Sequence, residues 1–87
     1  MIKYLKQNGV FSTPDMCLCA SLLCYGKKIE SMNREKDKAF FIFKKDWEFD
    51  GLIQKYWLHE LLIEPILFFE KTKELKRRIN NSLVQIS

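Results

Sequence analysis

The sequence predicts a small single α+β domain in which three helices pack on a two-stranded antiparallel sheet, in the order helix, β-hairpin, helix, helix. Three observations lead there. Residues Lys38 to Lys44, Lys-Ala-Phe-Phe-Ile-Phe-Lys, alternate with period two: Ala39, Phe41 and Phe43 share one side, Phe40 and Ile42 the other, between Lys38 and Lys44. Phe49, Leu52, Ile53, Tyr56 and Trp57 recur at helical spacing. The 87 residues are 47% hydrophobic and 14% aromatic with three glycines, which fits one globular unit rather than a disordered tail or a pair of domains. A chain of this length buries only about 60% of its unfolded surface, so the core is single and little room is left for an enclosed pocket.

Residues 1–10 are read as an N-terminal arm and residues 11–87 as the domain, with Asn8-Gly9 marking a turn before Val10-Phe11. Thr13-Pro14-Asp15 then starts a helix: Thr13 caps, Pro14 suits the first helical position and Asp15 complements the helix dipole. Gly26 stops it after Tyr25. Its small residues Cys17, Ala20, Ser21 and Cys24 form a stripe expected to lie close to the sheet. At 100° per residue Cys17 and Cys24 nearly superimpose, while Cys19 stands about 200° from Cys17, so the three thiols do not converge on one ion. No metal or cofactor is expected, and the cysteines are read as small hydrophobes.

Lys27 to Arg34 alternates weakly, with Ile29 and Ser31 opposed to Glu30 and Met32, and the charged run Arg34-Glu35-Lys36-Asp37 separates it from the phenylalanine-rich strand. This is a β-hairpin whose turn lacks the glycine that would name its type. Asp46 offers a cap for the next helix, in which Gly51 costs about 1 kcal/mol against alanine. Pro65 opens a last helix with the stripe Phe68, Thr72, Leu75 and Ile79, a Glu74–Arg78 pair and fraying at Asn80-Asn81.

Thr13, Asp15, Ala20, Leu23, Gly26, Phe41, Phe43, Tyr56-Trp57, Pro65 and Leu75-Lys76 together resemble a family of short uncharacterised bacterial and phage proteins, over roughly Phe11 to Ile79. The resemblance implies a fold and a mobile-element origin. The shared positions are packing residues, caps and turns, and no catalytic role comes with them. The chain departs from the pattern in its N-terminal arm and in Leu58 to Leu62, where the family has a more polar loop.

No apolar run approaches the roughly 20 residues that cross a bilayer, and the start lacks an apolar signal core. With an odd number of cysteines outside any disulfide framework, the expected setting is the cytoplasm. His59 is the single histidine, and neither a nucleophile–base pair nor a phosphate loop accompanies it. The expectation is a non-catalytic binding module without a small-molecule substrate.

Two surfaces are candidates. Leu58, Leu62, Ile66, Leu67 and Phe69 add more apolar surface than one small core hides, which points to a protein partner: a second copy, or the target of a phage-type inhibitor of a host nucleic-acid enzyme. The alternative is weak single-stranded nucleic-acid binding through Arg34, Lys36, Lys38, Phe40 and Lys44 of the hairpin, with Lys73 and Arg77 of the last helix. Charge is segregated: five acids against Lys55 between Asp46 and Glu64, five bases against Glu74 between Lys71 and Arg78, within a net +4.

Overall fold

The computed structural model describes residues 9–86, with side chains described for residues 9–81. The chain runs β1 (Val10–Thr13), α1 (Met16–Cys24), β2 (Ile29–Glu35), β3 (Lys38–Lys44), α2 (Phe49–Trp57) and α3 (Pro65–Ile86). The strands form one antiparallel sheet in the order β1-β3-β2. Because β1 and β2 each run against β3, they are parallel to one another with β3 slotted between them, a split β-α-β unit.

The expected two-stranded hairpin is therefore a three-stranded sheet, and the first described element is a strand rather than a helix. Val10-Phe11-Ser12-Thr13 is only four residues long and runs into Pro14, so its pattern is too short to separate from a turn and a cap. Its register on β3 is regular, with Phe11 opposite Phe43 and Thr13 opposite Phe41. Lys45 N–H donates to the Gly9 carbonyl at 3.1 Å, so the pairing reaches back to the edge of the expected arm. The remainder of that arm, residues 1–8, lies outside the described residues.

On the other side of β3, Ile29 faces Phe43, Ser31 faces Ile42 and Met32 faces Phe41, with a register shift between Ile29 and Ser31. That bulge corrects the simple alternation. Three residues apart, Ile29 and Met32 would point to opposite faces of a regular strand, but the extra residue brings both onto the core side.

Asp15, not Thr13, caps α1: its carboxylate accepts from the N–H groups of Cys17 at 3.0 Å and Leu18 at 3.2 Å. Thr13 Oγ1 instead accepts from Asp15 N–H at 3.1 Å, and Pro14 lies before the helix. Consecutive residues Leu18 to Leu22 are all buried, because α1 packs against both α2 and α3 and a helix enclosed on most sides is apolar most of the way round. The small-residue stripe is thereby corrected: Ala20 and Ser21 are buried, but Cys17 is exposed and Cys24 only half-buried. Tyr25 closes the helix and Gly26 follows at φ +85°. Gly26 N–H donates to the Leu23 carbonyl and Lys27 N–H to that of Leu22, a Schellman stop.

Before α2, Asp46 Oδ1 accepts from Glu48 N–H at 3.2 Å and the Asp46 carbonyl accepts from Phe49 N–H. Asp46 thus organises the turn, while Glu48 occupies the cap position without a side-chain bond. Phe49 and Leu52 are buried, Ile53 and Tyr56 are half-buried, and Trp57 is exposed at the edge of the stripe.

Pro65 opens α3 as expected, with Glu64 Oε1 accepting from Leu67 N–H at 2.8 Å. The helix runs through Asn80 and Asn81 to Ile86 rather than fraying there, and Glu74 pairs with Lys71 at 3.6 Å rather than with Arg78. Its side of the core is Leu75, flanked by Phe68 and Ile79. Phe41, Phe43 and Phe49 are the largest fully buried side chains, and Phe11 and Phe43 both tilt against Phe49 with ring centroids 5.5 and 5.8 Å away. Each such side chain contributes about 1.5–3 kcal/mol by burial. All three helices therefore cover the Phe41/Phe43 face of the sheet, and among the described residues the other face is left to its own side chains.

Candidate functional site

The uncovered face of the sheet is read directly from the register. β3 places Lys38, Phe40, Ile42 and Lys44 on it in a row, and their cross-strand partners are Glu35, Asn33, Ser31 and Ser12, with Val10 beside Lys44. Phe40 and Ile42 are half-buried and stay outside the helix-covered core. Lys38 and Lys44 are exposed and make no ion pair among the described residues.

Arg34 is the departure. Opposite Ala39, it points to the helix side of the sheet, where its Nη1 is buried without a hydrogen-bond partner among the described residues. It does not join Lys38 and Phe40. Lys36 stands at the hairpin turn with φ +56°, in the left-handed region. Glu35, Lys36, Asp37, Lys38 and Phe40 line a shallow hollow of about 320 Å³ there.

Lys73 and Arg77 lie on the opposite, helical side of the molecule, one turn apart on α3. Lys73 Nζ sits over the Phe69 ring at 5.1 Å, so the structure joins this cation to the apolar candidates rather than to the sheet platform.

Those candidates are largely solvent-facing: Leu58, Ile66, Phe69 and Leu62 are 58%, 67%, 61% and 85% exposed, while Leu67 is half-buried. Trp57 and, at 91% exposure, Trp47 join them. Neither tryptophan is among the surface candidates of the sequence reading, since Trp57 completes the α2 stripe by spacing and Trp47 falls between two acids in a turn. Trp47, Tyr25, Gly51 and Lys55 line a broad hollow of about 460 Å³.

The backbone beneath this exposed stretch is fixed. Leu58 closes α2, His59 adopts φ +64°, His59 N–H donates to the Tyr56 carbonyl and Glu60 N–H to that of Lys55. This second Schellman stop gives His59 a backbone role. Tyr25 Oη donates to the Leu62 carbonyl at 2.6 Å, and the adjacent Leu61 packs on the core. Leu62 is held while its side chain projects into solvent.

The shifted titratable groups follow burial and pairing. Burial, aided by the Asp15 charge, pushes the Cys19 thiol up to about 12, and burial also raises Cys24. Tyr56, whose hydroxyl donates to Asp15 at 3.4 Å, is raised chiefly by desolvation. Lys27 bridges Asp46 at 2.9 Å and Glu48 at 3.2 Å; its hydrogen bond to Asp46 raises the ammonium and lowers the carboxyl. Among the described residues no three His, Cys, Asp or Glu side chains gather as a metal requires, and no helix is long and apolar enough to cross a membrane.

The fold and these surfaces define a small split β-α-β domain with its helices on one side of the sheet. The chain belongs to the family described as Domain of unknown function (DUF5659), whose sequence profile matches residues 8–82. The match spans the three strands, α1, α2 and α3 as far as residue 82, and so includes the resemblance read over Phe11 to Ile79. No curated protein and no solved structure matches the chain.

Proposed function

We propose that the protein is a non-catalytic binding module that docks a second copy of itself through the apolar stretch from Trp57 to Phe69. The observation that carries this reading is Leu62: its carbonyl is tied by Tyr25 Oη, its neighbour Leu61 is packed, and yet its side chain is 85% exposed. A side chain presented on a fixed backbone enters an interface with little further loss of conformational entropy.

Charge favours a second copy as the occupant. Glu60 and Glu64 lie within the stretch and Lys73 and Arg77 follow its C-terminal end, so an antiparallel pairing about a two-fold axis sets acids against bases while the leucines, Ile66 and Phe69 meet. A foreign protein, including an enzyme inhibited by docking, would use the same residues. Amide hydrogen exchange tests the surface itself: protection over residues 57–69 should grow with protein concentration, and protection that stays constant there would place the contact elsewhere.

A further inference from the structure

We propose that the uncovered sheet face is a second, independent site that holds a short single-stranded nucleic acid, with Phe40 as the stacking surface and Lys44 as the principal phosphate contact. The row Lys38, Phe40, Ile42 and Lys44 lies along the central strand, with about 20 Å between its terminal residues at about 3.4 Å per residue. Cationic groups at both ends and a ring between them match an extended strand whose bases stack while its phosphates run past the ends.

The residues flanking the ring decide between occupants. Ser12, Ser31 and Asn33 border Phe40 and Ile42 from both edge strands. They supply hydroxyls and an amide at the height of a stacked base, and they make the face too polar for a dry protein seam. A duplex keeps its bases stacked on each other and offers no free base face to Phe40, so the site selects unpaired strands.

The two ends are unequal. Glu35 lies opposite Lys38, and Asp37 shares the hollow beside it, so phosphate is disfavoured near the hairpin turn. Lys44 pairs in register with Val10 of β1 instead, with no carboxylate across from it on that strand. The lysine at that end is the stronger anchor.

The test uses the full chain with fluorescein-labelled oligouridylate, oligothymidylate and a hairpin duplex of equal length, read by fluorescence anisotropy at several salt concentrations. The single strands should bind with a log–log salt slope of about −1.4, the value for two phosphate contacts on a single strand. Phe40→Leu, which keeps the bulk and removes the ring, should weaken binding about fivefold or more. Lys44→Glu should weaken it more than Lys38→Glu, with circular dichroism unchanged in each variant. Absence of binding in low salt, equal affinity for the duplex, or loss only on Lys73→Glu and Arg77→Glu would overturn the proposal. The outcomes at Phe40, Lys38 and Lys44 do not bear on the Trp57–Phe69 surface, which contains none of those residues.

Discussion

Phe40 and Phe41 are adjacent in the chain and opposite in role: Phe41 is fully buried beneath the helices, and Phe40 sits half-buried on the uncovered face between Lys38 and Ile42. The same residue type therefore reports on two surfaces. Phe41→Ala should destabilise the protein by about 3–5 kcal/mol, a large part of the stability of a domain this small. Phe40→Ala should cost clearly less, since the ring is only partly removed from water. Thermal melts followed by circular dichroism compare the two, and equal losses would mean that the faces are misassigned.

The strand faces were legible because alternation over Lys38 to Lys44 is a direct readout of the pleat. α2 and α3 were legible for the same reason at period 3.6: Phe49, Leu52, Phe68 and Leu75 lie where their spacing put them. β1 was not, because four residues ending at Thr13-Pro14 offer the same signs as a helix start. Nor was the burial of Leu18 to Leu22, since a helix enclosed on most sides has no polar face to give it a phase. On the surfaces, spacing located Lys38, Phe40 and Lys44, but Arg34 turned to the helix side. Trp47 was invisible because exposure of a large apolar residue is a property of what fails to cover it.

Two glycines should respond to alanine with opposite signs. Gly26 holds φ +85°, so Gly26→Ala should destabilise by about 1 kcal/mol through backbone strain alone. Gly51 lies inside α2 with open space where a Cβ would stand, and Gly51→Ala should stabilise by about 1 kcal/mol. Denaturant melts of both variants check the signs, and a destabilising Gly51→Ala would show that the helix needs the glycine for close packing.

Thiol reactivity should follow burial. The thiolate is the reacting form, so exposed Cys17 should be modified first, half-buried Cys24 more slowly, and Cys19 only when the protein unfolds. Because the folded Cys19 thiol is raised to about 12, its contribution to stability is complete below its unfolded value near 9 and is lost as pH rises from there towards 12. Cys19→Ala should flatten the alkaline limb of the stability profile, and an unchanged limb would contradict the assignment.

The Lys27 bridge should appear at the acid end. The Asp46 carboxyl is depressed in the folded protein, so its contribution is present above the ordinary carboxylate range, near pH 4, and is lost as pH falls through the lower folded value. Lys27 is raised, so its contribution is complete below its unfolded value and lost only in strong alkali. Lys27→Met should therefore reduce the slope of melting temperature against pH below about pH 4. An identical acid slope in the variant would mean that the bridge does not persist in solution.

Self-association is the central claim, and sedimentation equilibrium of the full chain tests it most directly. The protein should sediment as a dimer at micromolar concentration, and Leu62→Glu together with Phe69→Lys should make it a monomer with unchanged circular dichroism, since both side chains face solvent in the single chain. A wild-type protein that stays monomeric at hundreds of micromolar, or a dimer indifferent to both substitutions, would contradict the account.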